Sequence, residues 1–75
     1  MKILLEYCEQ WNYLPQALRV KAVIADKYNA DVELIPSSGG VFEIKFDNVL
    51  VFSKKKEGRF PSDNELMTLD QWVII

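Results

Sequence analysis

Residues 3–35 read ILLEYCEQWNYLPQALRVKAVIADKYNADVELI, and in this stretch a strand pattern, a helix pattern and a second strand pattern follow one another. Apolar residues alternate with other residues over 3–7, which predicts a first strand. Apolar residues recur at helical spacing over 15–28, and the segment 31–35 again has the composition of a strand. A strand, a helix and a strand in this order predict a right-handed parallel crossover.

The helix is predicted to bury one broad apolar side. Pro15 stands where the first turn would begin, because its fixed φ suits that turn and its missing N–H is not needed there. The residues on the predicted apolar side are Leu14, Ala17, Leu18, Ile24, Ala25 and Tyr28.

The second half of the chain predicts a hairpin. Residues 36–40 have the composition of a loop, residues 41–47 alternate, and residues 49–53 form the return strand. Asp47 and Asn48 between the two strands suit a tight turn, since both residue types tolerate positive φ.

A charged loop over residues 54–59 and a second helix are predicted to complete the chain. Ser62 and Glu65 have the spacing of a capping box, and Leu66, Leu69 and Val73 follow at helical spacing. The resulting order is β-α-β-β-β-α, with two helices packed on a mixed four-stranded sheet in an α/β two-layer domain. We expect residues 1–75 to form this single domain.

The composition excludes several classes of function. The chain has 75 residues, 27% of them charged, and a net charge of −2, which gives no general basis for binding nucleic acid. It has one cysteine and no histidine, so we expect no intrachain disulfide and no metal site. The apolar run at residues 3–5 is too short for a signal peptide or a membrane span, and a lone thiol fits the cytoplasm.

Cys8 is the candidate catalytic residue because it lies between a predicted strand and a predicted helix. The positive end of the helix dipole and unpaired backbone N–H groups there would stabilise a thiolate, the reactive form. The alternative is that Cys8 is a small apolar residue buried under the loop. The sequence alone leaves both interpretations open.

Four segments resemble the selenoprotein W-related (Rdx) family in matching order. Tyr7 and Cys8 are similar to the Tyr-Cys pair that ends the family's first strand, and residues 39–44, GGVFEI, resemble its Gly-Gly-Val-Phe-Glu-Val stretch. Residues 53–55 and residues 57–61 resemble its Ser-Arg/Lys-Lys and Glu-Gly-Gly-Phe-Pro segments. The resemblance implies a thioredoxin-like fold and a role in thiol redox chemistry.

One position departs from the family pattern. The family has a second cysteine or selenocysteine three residues after the first, and this chain has Trp11 there. An indole forms no disulfide, so a dithiol cycle within the chain is impossible. The chemistry that remains to Cys8 is a glutathione adduct or a mixed disulfide with the thiol of a partner protein.

The loops near Cys8 supply the candidate binding residues: Tyr7, Trp11, Tyr13, Ser38, Gly39 and Gly40. Trp11 is interpreted either as an exposed anchor for a partner or as a cover for the thin core. Pro36 is comparable to the cis-proline of thioredoxins, and the basic run at residues 54–56 is interpreted as a solvated loop.

Two functions therefore stay open. The first is single-thiol redox chemistry at Cys8, with no cofactor other than a glutathione adduct. The second is a non-catalytic protein-binding module that keeps the fold and has lost the redox cycle. The sequence does not decide whether the chain is an enzyme, and it does not give its oligomeric state.

Overall fold

A computed structural model describes residues 1–72. The elements are β1 (Ile3–Cys8), α1 (Leu14–Tyr28), β2 (Val32–Ser37), β3 (Phe42–Phe46), β4 (Val49–Ser53), α2 (Lys54–Glu57), α3 (Asp63–Met67) and a 3₁₀ turn (Leu69–Trp72). No helix within this part of the chain has the length and apolarity that crossing a membrane requires.

The four strands form one mixed sheet in the order β2-β1-β3-β4. β1 pairs in parallel with β2, and the register places Cys8 opposite Ser37 at the end of both strands. β1 and β4 each pair antiparallel with β3. This sheet, with its α1 crossover, confirms the thioredoxin-like α/β arrangement that the family resemblance implied.

The core lies between one face of the sheet and the helices, because alternate strand residues point to that face. In β1 these residues are Ile3, Leu5 and Tyr7, and in β3 they are Phe42, Ile44 and Phe46, all of them buried. From α1 the core receives Ala17, Val20 and Ile24, which recur at helical spacing.

The apolar side of α1 is narrower than its sequence pattern predicts. Leu14 and Leu18 were expected to be buried, yet they are 39% and 51% exposed. The stripe that faces the sheet follows Ala17, Val20 and Ile24, and Leu18 lies about 100° around the helix from Ala17. Both leucines therefore lie at the solvent side of the helix.

Strand β2 extends farther than predicted, and its last residues include Pro36. A proline is tolerated there because β2 is an edge strand, whose outward-facing N–H groups have no partner in the sheet. Its peptide bond is trans, so the comparison with the cis-proline of thioredoxins does not hold.

The C-terminal part contains more helical segments than predicted. Residues 54–57 form the short helix α2 where a charged loop was expected, and Gly58 ends it with φ of +77°. The predicted capping box is present, since the Ser62 hydroxyl accepts the Glu65 N–H and the Glu65 carboxylate accepts the Ser62 N–H. The predicted helical position Val73 lies outside the described residues.

Tyr28 fastens this C-terminal part to α1. Its hydroxyl donates to the Leu66 carbonyl oxygen at 2.8 Å and accepts the Leu69 N–H at 3.0 Å. Its ring packs edge-on against Phe46 in the core. Burial raises the pKa of the Tyr28 hydroxyl, which keeps it in the protonated form that can donate.

Candidate functional site

Cys8 is the last residue of β1, and no part of it reaches the surface. Its sulfur accepts a hydrogen bond from the Trp11 backbone N–H at 3.3 Å. The sequence predicted backbone N–H groups near this thiol, and the Trp11 N–H is one such group. The other expectation from the sequence was a cysteine buried under the loop, and the sulfur is indeed inaccessible to solvent.

The loop that covers Cys8, residues 9–13, is tied to the chain on both sides. The Cys8 N–H donates to the Val41 carbonyl at 2.8 Å, and the Glu9 N–H donates to the Ser37 carbonyl at 3.0 Å. The Tyr13 N–H donates to the Cys8 carbonyl at 3.0 Å, which brings the start of α1 next to Cys8. The buried thiol therefore lies beside a loop that backbone hydrogen bonds hold in place.

Trp11 is on the surface, with 60% of its area exposed. One edge of its indole rests on Gly40, where an added Cβ would lie 2.6 Å from the ring. Its other neighbour is the ring of Tyr13, in an edge-to-face pair at 6.1 Å. The predicted cover for the core is therefore supplied by Tyr13 and not by Trp11, whose indole is held in place and still faces solvent.

A row of aromatic rings leads from Trp11 into the core. Tyr13 packs edge-on against Phe60 at 4.9 Å, and Phe60 packs in the same way against Phe42 at 5.1 Å. The ammonium of Lys54 lies over the rings of both Tyr13 and Phe60. Phe60 and Lys54 therefore lie beside the candidate site. Both belong to segments that carry the family resemblance, but the basic run that contains Lys54 was interpreted as a solvated loop.

The segment before β3 borders the Cys8 loop, as the resemblance suggested. A shallow open groove runs between the two segments and is lined by Glu9, Gln10, Pro36, Ser37 and Ser38. Gly39 and Gly40 follow with φ of +77° and +72°, a conformation that glycine adopts without a steric penalty. Gly39 is exposed, whereas Gly40 is buried beneath the indole of Trp11.

The structure brings together most of the predicted site residues around Cys8, with Tyr7 as the exception. Tyr7 is only 6% exposed and belongs to the core, since alternation along β1 turns it to the helical side of the sheet. The candidate site therefore consists of the buried Cys8 thiol, the exposed Trp11 indole, the groove beside the Cys8 loop and the Lys54 ammonium. Within residues 1–72 no group of three potential metal-ligating side chains comes together.

Two solved structures share this architecture. A selenoprotein W-related protein from Vibrio cholerae superimposes with a TM-score of 0.86 at 27% identity, over 96% of each chain. A protein from Bordetella parapertussis gives a TM-score of 0.86 at 26% identity, over 93% of this chain and 92% of its own. The likeness includes the Cys8 end of the sheet, because it covers nearly the whole chain.

Curated relatives are similar at the level of sequence. Migration and invasion enhancer 1 of Bos taurus is 31% identical over 68 residues, and that of Mus musculus is 32% identical over 66 residues. The matches cover 89% and 87% of this chain but only 59% and 57% of the relatives, so the chain spans less than two thirds of their length.

The family model extends over almost all of the described part of the chain. The model of the Rdx family matches residues 2–69, a range that starts before β1 and ends in the 3₁₀ turn. It therefore includes the Cys8 loop, the groove and the aromatic row in one continuous match. Together with the sheet order and the position of Cys8, this match shows that the chain belongs to the Rdx family.

Proposed function

We propose that this chain takes part in thiol redox chemistry through the single thiol of Cys8, which exchanges with glutathione or with a thiol of a partner protein. The observation that supports it is the Trp11 N–H directed at the Cys8 sulfur at 3.3 Å, between the end of β1 and the start of α1. Thiolate is the attacking form in disulfide exchange, and such a donor stabilises it.

The proposed reaction is a single exchange. The Cys8 thiolate attacks one sulfur of oxidised glutathione, a Cys8–glutathione disulfide forms, the original disulfide breaks, and the second glutathione leaves as a thiolate. One disulfide is formed for each one broken, so no further oxidant is needed. The chain has no second cysteine, so an external thiol must resolve the adduct.

Access to the thiol is the step that the loop controls. Cys8 is fully buried. To expose its sulfur, the loop of residues 9–13 must move away, which breaks the Glu9–Ser37 hydrogen bond and the contact of Trp11 with Gly40. We expect the adduct to form slowly in the native chain and faster in Trp11→Ala, in which the indole no longer holds the loop.

Intact mass after incubation with oxidised glutathione tests the proposal. The native chain is expected to gain one glutathione, and Cys8→Ser is expected to gain none. The same incubation in denaturant measures the reaction of the fully accessible thiol. An adduct that forms only in denaturant, in both the native chain and Trp11→Ala, would contradict the proposal.

A Trp11→Cys substitution tests the geometry of the loop separately. The backbone nitrogen of residue 11 is 3.3 Å from the Cys8 sulfur, so a cysteine introduced at this position has its backbone close to the Cys8 thiol. A disulfide needs Cα atoms about 4.4–6.8 Å apart with suitable Cβ directions. We expect the variant to lose both free thiols together in an oxidising glutathione buffer and to regain them with dithiothreitol.

The second candidate is a protein-binding module, and the exposed indole favours it. Trp11 occupies the position of the family's second redox residue and is 60% exposed, whereas the retained thiol is buried. In cells that lack the native chain, this candidate predicts that Cys8→Ser restores function and Trp11→Ala does not. The redox proposal predicts that Cys8→Ser does not restore function.

A further inference from the structure

Lys54 is held at the edge of the aromatic row without a carboxylate partner in the described part of the chain. Its ammonium lies 5.5 Å from the centroid of the Tyr13 ring and 5.4 Å from that of Phe60, within the range of a cation–π contact. The ion pairs among residues 1–72 are all made by arginines. The charge of Lys54 is therefore fixed in position and not neutralised.

The basic run at residues 54–56 does not act as one patch. Lys56 lines a cavity beside β4 together with Glu57 and Glu65, on another side of the short helix from the aromatic row. Successive residues of a helix point about 100° apart, so only Lys54 of the three meets the Tyr13 ring. The cation that matters for the Cys8 end is thus a single lysine.

Trp11 and Lys54 are joined through Tyr13. The Trp11 and Tyr13 rings are 6.1 Å apart and the Lys54 ammonium is 5.5 Å from the Tyr13 ring, so indole and ammonium are at most about 12 Å apart. The contacts with Gly40 and Tyr13 limit the motion of the exposed indole. We call Trp11, Tyr13 and Lys54 together the Trp11–Lys54 surface.

We propose that the Trp11–Lys54 surface docks an extended acidic segment of the partner protein, with an apolar side chain on the indole and a carboxylate paired with Lys54. The proposal rests on the proposed function, since the docked segment would present the partner's thiol beside Cys8. A strand advances about 3.3 Å per residue and alternates its side chains between two faces, so the apolar and acidic residues should be two positions apart, on one face. A held aromatic and an unneutralised cation are complementary to such a segment.

Peptides without cysteine test the docking apart from the thiol chemistry. The probe repeats Leu-Thr-Glu-Thr three times; one control replaces each Glu with Lys, and another replaces each Leu with Ala. Binding to the native ¹⁵N-labelled chain is followed by the signals of the Trp11 indole and the Lys54 amide. We expect both signals to shift with the acidic probe, and the basic control to bind at least about fivefold more weakly.

Two lysine variants provide a matched pair. Lys54→Met keeps an apolar stem on the Tyr13 ring and removes the charge, and we expect it to weaken binding of the acidic probe about two- to fivefold. Lys55→Met makes the same change at the adjacent exposed residue and should leave binding unchanged. If Lys54→Met does not fold, the comparison of acidic and basic peptides on the native chain still decides.

The outcomes separate this proposal from the proposed function. No binding of the acidic probe, equal binding of the acidic and basic peptides, or equal effects of the two lysine variants would overturn the docking surface. The glutathione adduct at Cys8 is measured without any peptide. An adduct without peptide selectivity therefore removes only the docking surface, and selectivity without an adduct removes only the thiol chemistry.

Discussion

The Cys8 end of the sheet and the C-terminal helical segments use their polar groups in opposite ways. We call the hydrogen bonds of Tyr28 to these segments, together with the capping box of Ser62 and Glu65, the clasp. In the clasp, the Tyr28 hydroxyl binds two backbone groups, and the capping box closes Ser62 and Glu65 on one another. At the Cys8 end, the thiol receives one backbone N–H, and the indole beside it stays exposed.

This difference distinguishes a region that stabilises the fold from the region proposed to function. Polar groups that hydrogen-bond to one another within the fold stabilise it and have no free donor or acceptor for a ligand. At the Cys8 end, by contrast, Trp11 and Lys54 are each held by aromatic contacts while part of each side chain stays free to meet a partner. The comparison predicts that substitutions in the clasp change stability alone, whereas substitutions near Cys8 change both stability and reactivity.

The largest expected effect follows Gly40→Ala, which would break the packing of Trp11. The added Cβ lies 2.6 Å from the indole, and φ is +72°. The two effects together should lower the free energy of unfolding by about 3 kcal/mol. The Cys8 adduct should also form faster, because the displaced indole no longer holds the loop. Urea denaturation and intact mass measure the two changes.

Gly39→Ala is the matched control for this substitution. Its φ is +77°, but nothing lies within 4 Å of the added Cβ, so only the backbone cost of about 1 kcal/mol applies. Combining Gly40→Ala with Trp11→Ala should remove the steric part of the loss. Equal losses for the two alanine substitutions would show that Trp11 does not rest on Gly40 in solution.

Tyr28→Phe tests the clasp and should have the second largest effect. The ring still packs on Phe46, but the Leu66 carbonyl and the Leu69 N–H lose their partner, which should cost about 2 kcal/mol. Reactivity of Cys8 should not change. Tyr13→Phe, which removes a hydroxyl from a half-buried ring outside the clasp, should cost less than about 0.5 kcal/mol in the same denaturation assay.

The smallest effect concerns pH and the ion pair of the capping box. The hydrogen bond from Arg59, followed by that from the Ser62 backbone, lowers the pKa of Glu65 from 4.5 to about 2. Because the folded-state value is depressed, the stabilisation is complete above the unfolded pKa and is lost as pH falls from about 4.5 towards 2. It should amount to about 1 kcal/mol or less, since the pair is near the surface.

Glu65→Gln is the variant that reveals this contribution. It cannot ionise, so its melting temperature should decline less steeply than that of the native chain between pH 4.5 and 2. Asp63→Asn, which changes an exposed carboxylate paired with Arg19, is the comparison. Identical pH profiles of the native chain and Glu65→Gln would show that the Arg59 contact contributes nothing to stability.

Local sequence patterns predicted the elements near their observed positions because side-chain alternation and helix capping relate residues that are close in sequence. Alternation gave β1 and β3, and the spacing of Ser62 and Glu65 gave the capping box at the start of α3. The errors occurred where distant residues decide. Leu18 fits a helical apolar pattern, but its burial depends on how far the sheet extends beneath α1.

By itself the sequence determined that one thiol stands at the end of the first strand, that position 11 has no second redox residue, and that the elements follow the thioredoxin-like order. Only the tertiary structure decided that the thiol is enclosed while the indole is exposed, because Trp11 rests on Gly40 and the loop is tied to Ser37. These contacts join residues far apart in the chain, and periodicity reports only on neighbours.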